Sequence, residues 1–376
     1  VKRTTFFILC LEGAVLSFNV ASSAALVPSI AAEFALSQFL VGKIIWLYML
    51  PYGIAAFFYG PLVRFIDARR VELSCIFLFS LANLLAGLSR GIHTLFFARF
   101  MMGLFGASVI PLGLILIAKR LPESKRGRYI GLFFGSTFVA SLLGLFLSGV
   151  INWRMIYIIP AVCGLVLWVF MYAYLPSFKE NTGVFRLGYL EALKNRRVAR
   201  IFGYIFLISL VYHAIQQWLG VYFSTQLGLK QFLISMLLTL TSLSGILGEV
   251  WGGHLSDSLG RMKVVNLGII LMALCVSLLI IKPPIALLVL LMAVWGLGWT
   301  FNHVGLSTML TDLPGEFLNE AASLNSGVRF ISGGIGAGLG GLIMQKSFSL
   351  GFLVFGCGLL ALLFFSRSVQ SKNIGG

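Results

Sequence analysis

In a chain of 376 residues that is 59% hydrophobic and only 11% charged, an ionisable side chain inside an apolar run is costly and so points to a pathway or a paired site. Glu12 stands in the first such run, where a carboxyl group in a partly dry cavity would suit a proton carrier. Its alternative place is near the inner surface, paired with a loop arginine. Arg99, in the fourth run, is the natural counter-charge. Farther along, His213, Gln216 and Gln217 follow Tyr212 at i, i+3, i+4 spacing, so they share a helical face. Trp299, Asn302 and His303 do the same. Histidines in such places either carry protons or make an interhelical hydrogen bond, and neither has metal-like neighbours, so no bound metal is expected. The proton-coupling candidates are therefore Glu12, Arg99, His213 and His303; Asn19, Gln216, Gln217, Trp299 and Asn302 are the candidates for contact with a solute. Glu249 lies one turn before a glycine-containing polar loop and is expected to belong to that loop, with Arg329 as a partner for it or for Asp312.

These residues need long apolar elements to hold them. A mean hydropathy of +0.98 is foreign to a soluble globular domain, which carries about 25% charged residues. Uncharged runs of about 20 residues recur along the chain, each able to cross a bilayer core of about 30 Å. A membrane β-barrel would alternate polar and apolar residues instead. Twelve spans are read, at about 5–27, 40–60, 71–89, 95–118, 129–150, 155–174, 201–223, 233–253, 264–281, 285–309, 321–343 and 348–366, each boundary loose by a few residues. A longer polar connection over about 175–200 divides them six and six. This gives an N-terminal six-helix bundle over 1–174, a linker over 175–200 and a C-terminal six-helix bundle over 201–376.

The net charge of +16 would suggest nucleic acid for a soluble protein; here it follows from Lys and Arg gathering in cytoplasmic loops. With both termini inside, about 20 cationic side chains fall in inner loops and about 6 in outer ones. Lys2-Arg3, an apolar run and Ala21-Ser22-Ser23-Ala24 imitate a secretory signal, but the run is long for one, and an uncleaved first span is expected. Cys10, Cys75, Cys163, Cys275 and Cys357 are scattered in apolar runs without ligand spacing and read as free thiols.

The motifs carry a resemblance. Gly253-His254-Leu255-Ser256-Asp257-Ser258-Leu259-Gly260-Arg261-Met262-Lys263 resembles the G-x-x-x-D-x-x-G-R-x-K/R loop that joins two helices on the cytoplasmic side of major facilitator superfamily transporters. That family has one copy per half, and an altered copy, Gly60-Pro61-Leu62-Val63-Arg64-Phe65-Ile66-Asp67-Ala68-Arg69-Arg70, lies about 193 residues upstream. Arg99-Phe100-Met101-Met102-Gly103 is similar to the family's R-x-x-x-G element. Arg126-Gly127-Arg128 is similar to its R-G-R loop, and Trp153-Arg154 to the W-R pair that opens helix six. Leu313-Pro314-Gly315-Glu316, Arg329 and the glycines after it stand at matching places in the second half.

The resemblance implies an all-α integral membrane protein of twelve transmembrane helices in two pseudo-symmetric six-helix bundles. Its first and fourth helices of each half line a central cavity, which would bring Glu12, Asn19, Arg99, His213, Gln217, Asn302 and His303 together near the bilayer midplane. Asp257 and Arg261 would form a cytoplasmic latch, with Gly60, Arg64, Asp67, Arg69, Glu249, Gly253 and Gly260 in the gating loops. The first copy departs from the pattern: Arg64 replaces the usual aspartate and Asp67 the usual glycine. The fifth span also lacks the antiporters' G-P pair, offering Ala140-Ser141 and a single Gly144.

The implied function is secondary transport of a small organic solute by alternating access in a bacterial-type inner membrane, as a monomer among membrane lipids. Proton-coupled export is the first expectation; proton symport or facilitated uptake is the second. No phosphate loop of the G-x-x-x-x-G-K-[ST] type occurs, so direct ATP drive is not expected, and no cofactor or nucleic acid is. A lipid-acting membrane enzyme would need a nucleophile–base pair or metal cluster at one membrane face. A receptor or scaffold would normally bring a soluble appendage, and no loop between the spans is large enough for one.

Overall fold

A computed structural model describes residues 3–63, 65–120, 123–177, 189–310 and 318–370. Every regular element among them is a helix. The first unit, Val1–Leu187, contains α1 (Arg3–Ser17), α2 (Ser23–Phe34), α3 (Gln38–Val41), α4 (Lys43–Leu62), α5 (Ala68–Gly87), α6 (Ile92–Gly106), α7 (Val109–Arg120), α8 (Glu123–Leu147) and α9 (Trp153–Tyr174). The second, Gly188–Gly376, contains α10 (Tyr189–Lys194), α11 (Arg196–Gln216), α12 (Leu219–Thr225), α13 (Gln231–Leu259), α14 (Arg261–Leu279), α15 (Ile285–Leu310), α16 (Leu318–Met344) and α17 (Phe348–Gln370). Among the described residues, eleven helical stretches are long and apolar enough to cross a membrane, and α1 and α2 are two shorter apolar helices. The expected first span is this broken pair.

The break has a side-chain cause. At Asn19, wholly buried, the amide Nδ2 donates to Asn83 Oδ1 of α5 at 2.5 Å, and Ser23 Oγ donates to the Asn19 carbonyl. A short polar side chain that finds a partner competes with regular helix. Gly144 of α8 lies against the Phe18 carbonyl, so closely that a Cβ would overlap it. Gly144 of the fifth span is thus the contact point for the kink in the first. Spans four and seven are broken as well, between α6 and α7 at Ala107-Ser108 and between α11 and α12 at Gln217-Trp218.

Each unit closes on the same pairing scheme. In the first, α1 packs on α8 and α9, α4 on α6, and α5 on α6 and α9. In the second, α11 packs on α16 and α17, α13 on α15, and α14 on α15 and α17. Small residues permit the approach, as lipid supplies no hydrophobic force between helices. A Cβ on Gly103 of α6 would overlap the Tyr48 carbonyl of α4, and one on Gly296 of α15 would overlap the Thr241 carbonyl of α13. Both residues of the second contact lie about 193 positions after those of the first, the offset of the two loop motifs.

The second loop motif is shorter than expected. The helix that was expected to end near Gly253 continues to Leu259, because Gly252 packs on Phe301 and Ser256 is buried within reach of Thr308. Gly253 and Asp257 are therefore helical, and the turn is confined to Gly260, whose φ of +97° suits glycine alone. Arg261 then donates from Nη1 to the Thr308 carbonyl at 2.7 Å, placing a cation on the last turn of α15.

Candidate functional site

The first unit holds two polar centres that the sequence had joined into one. Arg99, 1% exposed, donates from Nε to the Ile44 carbonyl at 3.1 Å and from Nη2 to Ser23 Oγ at 2.9 Å. Its guanidinium carbon sits 4.4 Å from the Tyr48 ring centroid, and cation–π attraction is strong where water is excluded. Arg99 therefore reaches the first span beyond its break. Glu12 lies before the break, about 16 Å of helix rise from Ser23. The expected Glu12–Arg99 pairing is not what the structure gives.

Glu12 has a different neighbour. Glu12 of α1 and Glu72 of α5 are both wholly buried and interact electrostatically with each other. None of their four carboxyl oxygens has a hydrogen-bond partner among the described residues. Cys75, one turn after Glu72, feels both carboxyl groups and contacts the Tyr59 hydroxyl at 3.5 Å. Two like charges in so dry a site cannot both be kept. Sequence reasoning passed over Glu72 because it follows Asp67, Arg69 and Arg70 and reads as part of a charged loop. Its one available signal was position: it falls in the second turn of an apolar helix, on the buried Ala68, Val71, Cys75 side.

The loop residues of the first motif copy act at the end of α9. Asp67 caps α5 by accepting from the Arg69 backbone N–H at 2.9 Å, and Ser177 Oγ donates to its other oxygen. Arg69 Nη2 donates to the Tyr172 carbonyl at 2.5 Å, with the guanidinium 5.6 Å from the Tyr172 ring. So the altered copy builds its own tie, from the start of α5 to the end of α9. Gly60 lies in the last turn of α4; Arg64 and Asp312 lie outside the described residues, as do Pro122 and Leu313–Glu316. At the other end of α9, the W-R pair grips Glu33: Arg154 Nη2 donates at 2.6 Å and Trp153 Nε1 at 2.5 Å. Arg154 Nη1 also reaches the carbonyls of Gly87 and Ser89.

The second unit builds an aromatic and charged cluster from α11, α13, α15 and α16. Tyr212 stacks on Trp299 with centroids 3.8 Å apart and planes 10° from parallel, and on Trp295 at 5.3 Å and 17°. His213 stands edge-on to Trp299 at 5.6 Å, its Nδ1 held 2.8 Å from the Ser209 carbonyl. With Nδ1–H donating to that carbonyl, the other ring nitrogen is left as the acceptor. Gln216 accepts from Trp295 Nε1 at 2.6 Å. Glu249 lies 2.9 Å from His303 Nδ1, so it belongs to this cluster and not to the loop where it was expected. Arg329 acts on Glu249 electrostatically and hydrogen-bonds Asn325, and its guanidinium is 5.8 Å from the Trp299 ring.

Asn302 is turned elsewhere. Buried completely, it donates to the Gly298 carbonyl at 2.8 Å and lies against Gly268 of α14, a packing role in place of the expected cavity one. Gln217 caps α11 at the break before α12. A hollow of about 550 Å³ in the first unit is lined by apolar side chains of α4 and α6, among them Leu50, Ile54 and Leu104, and contains none of the expected site residues. Among the described residues, no cluster of His, Cys, Asp and Glu could hold a metal ion.

The family model for the Major Facilitator Superfamily matches residues 9–341 and 231–373. The chain is 25% identical over 347 residues to an uncharacterized MFS-type transporter, YbcL, of Bacillus subtilis (strain 168), covering 89% of this chain and 88% of that one. To a probable sugar efflux transporter of Helicobacter pylori it is 22% identical, over 93% of this chain and 90% of that one. Among solved structures, the nucleoside transporter NupG superposes with a TM-score of 0.77 at 16% identity, over 99% of this chain and all of that one. A D-xylose–proton symporter gives 0.75 at 14%, over 96% of each.

Proposed function

Because the chain belongs to the Major Facilitator Superfamily, a multi-pass family of transporters, we propose that it moves a small organic solute by proton-coupled export. The observation that carries this reading is the Glu12–Glu72 pair: two carboxyl groups without partners in a dry site can exchange a proton but cannot both be charged. Deprotonation toward one side of the membrane would strain the packing of α1 against its neighbours. Protonation from the other side would relieve it. A ligand or proton biases such an equilibrium only by interacting unequally with the two states, and a buried carboxyl pair does so through its charge.

In this reading the two six-helix bundles, 1–174 and 201–376, work by alternating access in a bacterial inner membrane, with both termini cytoplasmic. The solute meets the aromatic cluster of the second bundle, and the Asp67–Arg69 and Gly260–Arg261 turns restrain the cytoplasmic ends. A second reading, proton symport or facilitated uptake, is favoured by the fifth span, where Ala140-Ser141 and Gly144 replace the antiporters' G-P pair.

Everted membrane vesicles, energised by respiration and reporting their proton gradient with a pH-sensitive dye, separate the readings. Addition of an exported compound should dequench the dye for wild type and leave Glu12→Gln and Glu72→Gln silent. Silence of wild type across a panel of metabolites and drugs, with uptake of labelled solute into whole cells, would overturn export in favour of uptake.

A further inference from the structure

We infer that the second unit binds an organic anion with a flat, unsaturated body, its carboxylate or like oxyanion held by Arg329 and its ring along the Trp299–Tyr212 stack. This names a substrate class for the transport reading above and rests on it.

Arg329 is 9% exposed, and its two terminal nitrogens, Nη1 and Nη2, have no hydrogen-bond partner among the described residues. The third nitrogen, Nε, is bound to Asn325 Oδ1 at 2.9 Å, one turn back on the same helix. That bond fixes the plane of the guanidinium and leaves its fork edge to something else. The fork matches an oxyanion with two parallel hydrogen bonds. A buried guanidinium with two empty donors is costly, and the backbone around it is rigid: Ser209 donates to the Arg329 carbonyl, and Gly336 and Gly340 press α16 onto α11.

The charges nearby do not satisfy it. Glu249 acts on it electrostatically but stands 2.9 Å from His303 Nδ1 and hydrogen-bonds neither terminal nitrogen. The wall beside the guanidinium is aromatic. Trp299 is half-buried, backed at 3.8 Å by Tyr212, and His213 meets its edge. A stacked platform next to an oriented cation suits a planar anion.

Calorimetric titration of the purified protein in an uncharged maltoside detergent tests the inference with four probes: benzoate, its neutral counterpart benzamide, acetate as an anion without a ring, and glycerol 3-phosphate as a lipid headgroup. Benzoate should bind, and benzamide should bind about tenfold more weakly or less. Arg329→Gln should erase that preference, Arg329→Lys should keep part of it, and Trp299→Leu should weaken benzoate without affecting acetate. Should Arg329→Gln fail to fold, the lysine variant alone must still show a reduced preference. Equal binding of benzoate and benzamide, or an unchanged preference in the lysine variant, overturns the inference. So does binding of glycerol 3-phosphate alone, which would assign the site to lipid. Proton-coupled export without this preference would retain the transport reading; the preference without proton movement would retain the site.

Discussion

Glu12 and Glu72 lie on two different helices of one bundle, α1 and α5, and their carboxyl groups are electrostatic neighbours in a site sealed from solvent. Replacing either by glutamine should reduce proton-driven transport by about tenfold or more, and the double replacement should cost little beyond either single one, because the pair acts as a unit. Vesicle transport rates for the four proteins make that cycle. Infrared difference spectra should show a protonated-carboxyl stretch that vanishes only when both are gone. Additive losses would mean that the two groups work separately.

The glycine contacts predict stability. Gly103→Ala must displace the Tyr48 carbonyl or the helix that carries it, and a loss of about 1–3 kcal/mol is expected. Gly203 lies mid-helix with open space where a Cβ would sit, so Gly203→Ala should be neutral or stabilise by about 0.5–1 kcal/mol. Unfolding temperatures of the detergent-solubilised variants would rank them.

At the turn between α13 and α14, a side chain on Gly260 would have to adopt φ near +97°. Gly260→Ala should cost about 1–3 kcal/mol of strain, while Gly253→Ala, inside the helix with room for a Cβ, should cost nothing measurable. The two glycines of one motif thus separate in a thermal-shift comparison.

The Glu33–Arg154 pair offers a double-mutant cycle. Both side chains are partly exposed, at 38% and 26%, so the direct coupling should be modest, about 1 kcal/mol or less. Arg154→Ala should lose more than Glu33→Ala, since Arg154 also holds the Gly87 and Ser89 carbonyls at the end of α5. Equal losses would show that those carbonyl bonds contribute nothing.

The fold was legible because lipid imposes length and apolarity on each span, and twelve such stretches survive any blurring of their ends. The breaks were not legible. Phe18–Ser22 contains no proline, and the bond that Asn19 makes at the break goes to Asn83, sixty-four residues away. Spacing could group His213 with Gln216 and Trp299 with His303, since each pair lies on one helix. It could not say that Asn302 turns toward Gly268, because that depends on where α14 sits. Glu72 was hidden by its charged sequence neighbours, and Glu249 by its closeness to a motif whose helix runs six residues farther than the glycine suggests. Sequence proximity misleads wherever a helix continues through a polar stretch.

The stack of Trp295, Tyr212 and Trp299 also has an optical consequence. Chromophores this close and nearly parallel exchange excitation, and their emission is sensitive to a neighbouring cation or carboxylate. One of the seven tryptophans of the chain, Trp299, stands beside Arg329 and is coupled through Tyr212 to a second, Trp295, and the unmodified protein carries its own light signal for whatever arrives there.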